Sequence, residues 1–292
     1  MKKILILLTI FLTLLQSCSK NISGNLGKKS FVVFSGKTLD IVPTKANVNL
    51  PVDTRLGVYV LNATTGIAET FSTAMVRNAL FTIAADGSFI GNIIYLNTGK
   101  DYDVYSYGPR VDAIADETSI SFIHNTDVIW APVNSTVRGA VAGQNNVTLQ
   151  YVHKTSQIKF TLTDDRDNAS KIQYPFAGAT FEITGFCSQF SLNLNNGSIT
   201  KGAVDNSIKI TTQNTPVCFA SNNGAPMSLN VNVTIPGAGG GSQIYNGVLT
   251  ASFEQGYSYS YNIKLASTTL VMTGTITDWI TVPVEDFVIL PS

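Results

Sequence analysis

Tyr257-Ser258-Tyr259-Ser260-Tyr261-Asn262-Ile263-Lys264-Leu265 carries the clearest pattern in this chain. Aromatic or large aliphatic side chains hold every odd position, and Ser, Asn and Lys hold the even ones. A period of two puts the first set on one face of a strand and the second set on the other. The same rule works outward from there. Leu229, Val231, Val233 and Ile235 alternate against Asn230, Asn232 and Thr234, and the glycine-rich residues 237–242 follow as a hairpin tip. Further upstream, Val147, Leu149, Tyr151 and His153 hold odd positions, whereas Ile158, Phe160 and Leu162 hold even ones. One face cannot stay buried through such a change of phase, so a bulge or break is expected between His153 and Ser156.

The first half reads as more short strands separated by turn chemistry. Ser30-Phe31-Val32-Val33-Phe34-Ser35 is the first, and residues 56–61 resume after a loose stretch, 36–54, with Pro43 and Pro51. Residues 79–84 and 89–96 flank Asp86-Gly87, which predicts a hairpin. Tyr102 and Val104 share one parity and Tyr105 and Tyr107 the other, which predicts a strand that is aromatic on both faces or bulged near Val104. Residues 127–133 carry Trp130. Residues 138–146, with two glycines and two asparagines, are the expected crossing between domains. No segment past the first apolar run sustains a 3.6-residue period with caps; a single helical turn fits near residues 72–78. Many short two-sided strands make an all-β chain built as a β-sandwich, twice.

The N-terminus sets the compartment. Met1-Lys2-Lys3 precedes an apolar run at residues 4–15, which is shorter than the roughly 20 residues a bilayer span needs. Leu15-Gln16-Ser17-Cys18 then resembles the cleavage site of a bacterial lipoprotein signal, with Gln16 an unusual residue there. Cys18 is thus the expected acylated N-terminus, which holds the working part outside the cytoplasm on a lipid tether. The expected organisation is a signal peptide at 1–17, a flexible tether at 18–29, an N-terminal domain at 30–145 and a C-terminal domain at 146–292. Cys187 and Cys218 remain for a disulfide-permissive compartment, either bridged or as two buried free thiols.

Composition excludes some functions. Lys plus Arg number 19 and Asp plus Glu number 19, and charged residues are only 13% of the 292. Such a chain has no electrostatic footprint for nucleic acid. Legible chemistry is sparse. There are two histidines, His124 and His153, and neither HExxH, CxxC nor GxSxG occurs. Asp164-Asp165-Arg166-Asp167-Asn168 clusters oxygens but lacks the Gly and Glu of a calcium loop, so it reads as a solvated turn. No catalytic residue, metal site or cofactor is expected. Tyr257, Tyr259 and Tyr261 fit a core face better than a sugar platform.

The order of several segments resembles the fimbrillin-like lipoproteins of the Bacteroidales. They are RLGVYVLN (55–62), NIIYLNTGKDYDVYSYGP (92–109), DVIWAPV (127–133), VTLQYVHKTSQIKFTLT (147–163), ASFEQGYSYSYNIKL (251–265) and TGTITDWITV (273–282). The resemblance implies two tandem transthyretin-like β-sandwich domains and assembly into a pilus by proteolysis-triggered strand exchange. The implied role is structural subunit or fimbria-associated adhesin, partnered by other fimbrial subunits or copies of itself, with a host protein or glycan as ligand. The alternative is a surface glycan-binding lipoprotein. Processing is expected within residues 36–55, at Lys45 or Arg55. The last run changes parity at Glu285-Asp286, so Val284, Phe287 and Ile289 mark an expected donor strand, or else a strand packed within its own domain.

Overall fold

The computed structural model describes residues 29–38, 48–64, 66, 68–140, 143–266, 270–276 and 287–289. In chain order the first strands are β1 (Lys29–Thr38), β2 (Val48–Asn49), β3 (Arg55–Asn62), β4 (Val76–Ile83), β5 (Phe89–Gly91), β6 (Tyr95–Asn97), β7 (Asp101–Gly108), β8 (Ile120–Ile123), β9 (Ile129–Arg138) and β10 (Gln144–His153). A 3-10 turn, Phe71–Thr73, stands where the helical turn was expected. Next come β11 (Ser156–Asp164), a six-residue helix α1 (Asn168–Gln173), β12 (Thr180–Thr184), β13 (Gln189–Leu192), β14 (Ile199–Lys201) and β15 (Val217–Phe219). The chain continues with β16 (Pro226–Pro236), β17 (Ser242–Ser252), β18 (Ser258–Leu265), β19 (Leu270–Ile276) and β20 (Phe287–Ile289).

The first core lies between two layers. One layer has β10 parallel to β1, with β2 and β6 antiparallel to β1; the other runs β9-β7-β3-β4-β5. The layers meet where Val152 and His153 of β10 pair with Trp130 and Ile129 of β9. Val32, Phe34, Leu56, Val58, Val60, Phe81, Leu96, Val104, Leu149 and Tyr151 fill the space between them. The second core is also a sandwich. The sheet β15-β11-β18-β19-β20 faces β12-β16-β17, and Phe160, Leu162, Tyr259, Tyr261 and Ile263 meet Phe181, Leu229, Val231, Val233 and Leu249. The tyrosines of the opening stretch are therefore core, as alternation requires.

A third layer joins the two halves. β8 pairs with β13, and β13 with β14. Ile120, Phe122, Phe190, Leu192 and Leu194 cover the far side of β3, β7 and β9 by packing on Tyr59, Tyr105, Tyr107 and Trp130. Trp130 Nε1 donates to the Leu194 carbonyl at 2.9 Å, and Leu194 N–H donates to Glu117 O at 2.9 Å. Gly197 (φ +69°) sits so close to the Trp130 ring that an added Cβ would lie 2.5 Å from it. Sandwiching explains the double parity of β7: Tyr102 and Val104 enter the first core, Tyr105 and Tyr107 enter the third cluster, and the register to β9 shifts on both sides of Val104.

Two expectations change. Residues 89–96 are not one strand. β5 stays with β4 and β6 crosses to β1, with Gly91 turned under the Phe81 ring at the break. Residues 138–146 are the β9–β10 connection, not the crossing. β10 puts Val147, Leu149 and Tyr151 into the first core, so the chain passes to the second core at Lys154-Thr155, within the expected 153–156 break. Of the two alternatives left open for Cys187 and Cys218, the structure has the two buried free thiols, and burial pushes the Cys218 thiol up to about 12. A thiolate is the reactive form. Soluble protein lacking residues 1–18 should therefore show no fast-reacting thiol when native and two in denaturant without reductant, as read by Ellman titration.

Candidate functional site

The inner strand β1 is the feature that chemistry can act on. Its register to β10 runs from Phe31↔Gln144 to Thr38↔Tyr151. Parallel pairing of this kind needs a long crossover, here most of the first half of the chain. Ser30, Val32, Phe34 and Gly36 point inward and are buried, while Phe31 and Val33 are about 40% exposed on the outer face. The Phe34 ring meets Phe81 edge-on at 5.1 Å and stacks with Phe89 at 6.2 Å. Gly36 admits no side chain without movement, because an added Cβ would lie 2.7 Å from Phe89 and 2.9 Å from Tyr151. At the other end Asn145 Nδ2 donates to Ser30 Oγ at 2.6 Å, and Val32 N–H donates to Ile94 O at 2.9 Å. Below the strand, Tyr151 is fully buried; its hydroxyl donates to Ser106 Oγ at 2.6 Å, and burial holds it un-ionised. Taken away, β1 would leave a slot with a fixed order of fillings: small polar, Val, Phe, nothing.

The other candidate residues distribute unevenly. Cys18, Lys45 and Val284 lie outside the described residues. Arg55 opens β3 and pairs with Thr82 of β4; its carbonyl accepts from Arg110 N–H at 2.9 Å, and its guanidinium meets Asp112 at 3.1 Å. A peptide bond held in this way is a poor protease substrate until the strand opens. Phe287 and Ile289 pair through β20 with Met272 and Leu270 of β19, at the edge of the second sandwich.

His153 Nδ1 lies 2.9 Å from Asp127. His124 packs on Phe186 at 5.2 Å, where burial lowers its pKa. Among the described residues no group of three or more His, Cys, Asp or Glu could hold a metal. The acidic run is internally satisfied. Arg166, 2% exposed, donates to Asp164 from Nε (2.8 Å) and Nη2 (3.0 Å) and to the Tyr174 carbonyl (2.7 Å), while Asp167 caps α1 through Ser170 N–H. Arg166→Ala should cost about 1–3 kcal/mol in urea unfolding, because it leaves the partly buried Asp164 carboxylate and the Tyr174 carbonyl without their guanidinium donor. The Arg166 guanidinium holds Asp164 below its usual range. A depressed carboxylate stabilises the fold above its unfolded pKa and loses that contribution as pH falls through its folded value. The parent should thus weaken further below pH about 4, relative to Arg166→Ala.

Pairing of β8 with the β13–β14 hairpin was not anticipated, although Phe190, Leu192 and Leu194 alternate. The pattern marks a half-buried strand without naming its partner.

Such an arrangement defines an all-β sandwich protein whose first described strand is an inner one. Solved structures share the fold. A candidate cell adhesion protein of Bacteroides uniformis aligns over 86% of this chain and 98% of its own, with TM-score 0.61 and 17% identity. Another from Bacteroides ovatus aligns over 88% and 99%, with TM-score 0.62 and 18% identity. One from Parabacteroides distasonis gives 89%, 99%, 0.52 and 14%. No curated protein matches. The fimbrillin-like family model matches residues 44–279, and the chain belongs to the fimbrillin-like family. Membership gives it a pilus-related role at the cell surface.

Proposed function

We propose that the chain is a structural subunit, or a fimbria-associated adhesin, of a surface pilus assembled by strand exchange. In this reading acylated Cys18 holds the precursor in the outer membrane. Cleavage between β1 and β3 then releases β1 with the lipid, and the emptied slot takes a strand from another subunit. One observation carries the reading: β1 is an inner strand that fills a defined apolar slot, yet it precedes every other described element. Unpaired backbone beside an apolar groove is a template for an added strand. Head-to-tail donation does not close on itself and gives filaments.

The paired backbone at Arg55 favours cleavage at residues 39–47, where Lys45 lies, over cleavage at Arg55. Mass analysis of protein shaved from native cells should find a mature N-terminus between residues 38 and 55. A chain still starting at acylated Cys18 would mark an anchor subunit instead.

Glycan binding is the second reading. It rests on a shallow depression on the outer face of β12-β16-β17, lined by Glu182, Thr184, Asn230, Asn232 and Asn246. Amides and a carboxylate in cross-strand register can bind vicinal hydroxyls. Specific retention on a glycan array, lost in Asn232→Ala, would favour this reading.

A further inference from the structure

β1 also has an outer face, which its place in the slot does not explain. Phe31 is 38% exposed there and Val33 40%. β6 brings two more apolar side chains beside them. Phe31 stands opposite Tyr95, which is 55% exposed. Val32 N–H donates to Ile94 O at 2.9 Å, which carries the same antiparallel register one step further. Ile93, 65% exposed, therefore falls opposite Val33. The four side chains form an apolar square on the outside of the first layer, while their alternates Val32, Ile94 and Leu96 are buried beneath it. We propose that this face, Phe31, Val33, Ile93 and Tyr95, rests on the surface of the bilayer that holds the lipid anchor. This rests on the reading of Cys18 as the acylated N-terminus and adds to it the part of the folded chain that meets the lipid.

Two observations select lipid as the occupant. The first is the charge around the square. β6, β1 and β10, the strands that carry this face, contain no aspartate or glutamate. Lys29 stands exposed at one end of the square, opposite Asn97. Gln144 and Asn146 of β10 lie exposed on its far side, in register with Phe31 and Val33. An apolar patch with a neutral and cationic rim suits a layer of phosphate head groups, which would repel carboxylates. Tyr95 suits it too, since its ring is apolar and its hydroxyl stays among water and head groups. The second observation is how little chain separates the face from the anchor. Lys29 follows Cys18 closely enough that β1 begins no more than about 40 Å from the acylated residue, even with the chain fully extended. Phe31 comes two places later. A short tether makes the second contact intramolecular, at an effective concentration of about 1 mM, so a patch too small to hold a free protein still holds an anchored one. Phe31 and Val33 belong to β1 itself. Cleavage that removes β1 would thus take half of the face with it, and the same cut would loosen the subunit from the membrane.

The test holds the uncleaved chain from Ser19 onward by an N-terminal histidine tag on vesicles of phosphatidylethanolamine, phosphatidylglycerol and a nickel-chelating lipid. A fluorophore is attached through Tyr95→Cys or, as a control on the outer face of β17, through Val248→Cys; Val248 is exposed to a similar extent. Cys187 and Cys218 are buried and stay unlabelled in the native protein. Phospholipids with brominated acyl chains should quench the label at 95 several-fold more strongly than the label at 248. Ile93→Asp places a carboxylate in the square at an exposed site, so it should leave the melting curve unchanged and bring quenching at 95 down to the control level. Equal quenching at 95 and 248, or quenching at 95 that Ile93→Asp does not alter, overturns the proposal. A dimer in the ultracentrifuge without vesicles that Ile93→Asp dissociates also overturns it, because a second copy then covers the face. The nickel lipid replaces the acyl chains, so this outcome is independent of the anchor. Mass analysis of Cys18 from native cells tests the anchor separately: an unacylated Cys18 overturns that reading, and the vesicles still decide whether the face takes lipid.

Discussion

Deleting residues 284–292 should abolish detergent-resistant polymers and leave a folded monomer. The physical case lies in the contrast between two pairings. At home the described part of this segment, β20, makes a three-residue antiparallel ladder to Leu270, Val271 and Met272, at the edge of the second sandwich. Edge strands of that length hold little; with about 1 kcal/mol per net hydrogen bond, the loss is a few kcal/mol against a second core closed by β11, β18, β12 and β16. In the slot of a neighbour, the same segment would gain the ladder and burial that β1 has now. The expected result is all or none on a gel of unboiled surface protein. The melting transition and near-ultraviolet signal of the monomer should be retained. If the deletion unfolds the monomer, the segment belongs to its own core and the donor role is wrong.

Phe34→Ala should destabilise the uncleaved chain by about 3–5 kcal/mol, because it empties a ring-sized volume in a packed core. Phe34 is 3% exposed and lies between Phe81 and Phe89. Little can collapse into the gap: the sheet behind Phe81 is the middle of three layers, held on its far side by the β8-β13-β14 sheet. Chemical denaturation of the precursor reads the effect directly. Phe31→Ala is the internal control, since Phe31 is 38% exposed on the other face of the same strand and should cost well under half as much. The two variants together also report on processing. Once β1 has been cut away, neither substitution should alter the stability of the mature protein. A Phe34→Ala effect that persists in surface-shaved protein would mean that β1 is never released.

Much of this architecture was legible because strands expose a period of two. The change of phase between His153 and Leu162 announced a bulge or break there, since only one parity can be buried on each side of it, and the chain passes between its two cores at that point although the crossing was expected earlier. Opposed parities in β7 announced a strand wanted on both faces. Alternation failed where the chain turned without changing composition. Residues 89–96 read as one run, yet Gly91 and the step at Asn92 to Ile94 send the chain from one sheet to the other. The crossing expected at residues 138–146 was misplaced because its glycines serve the link between β9 and β10, two strands of the first half. One of them, Gly139, has the Asn97 carbonyl where a Cβ would sit.

By itself, then, the sequence determined several strands with their buried faces, β10, β11, β16 and β18 among them, and the all-β class, because these follow from spacing along one segment. It also carried the resemblance to fimbrillin-like proteins. Tertiary structure alone decided which strands are neighbours. The parallel pairs β1–β10 and β11–β18, and the layer that β13 and β14 lend to the first half, join segments far apart in the chain. A strand's alternation states that one face must be covered and leaves its two edges open to many partners. Partner and register are chosen only when side chains from distant segments pack into one volume, as Val32, Phe34 and Gly36 do against Phe81, Phe89 and Tyr151.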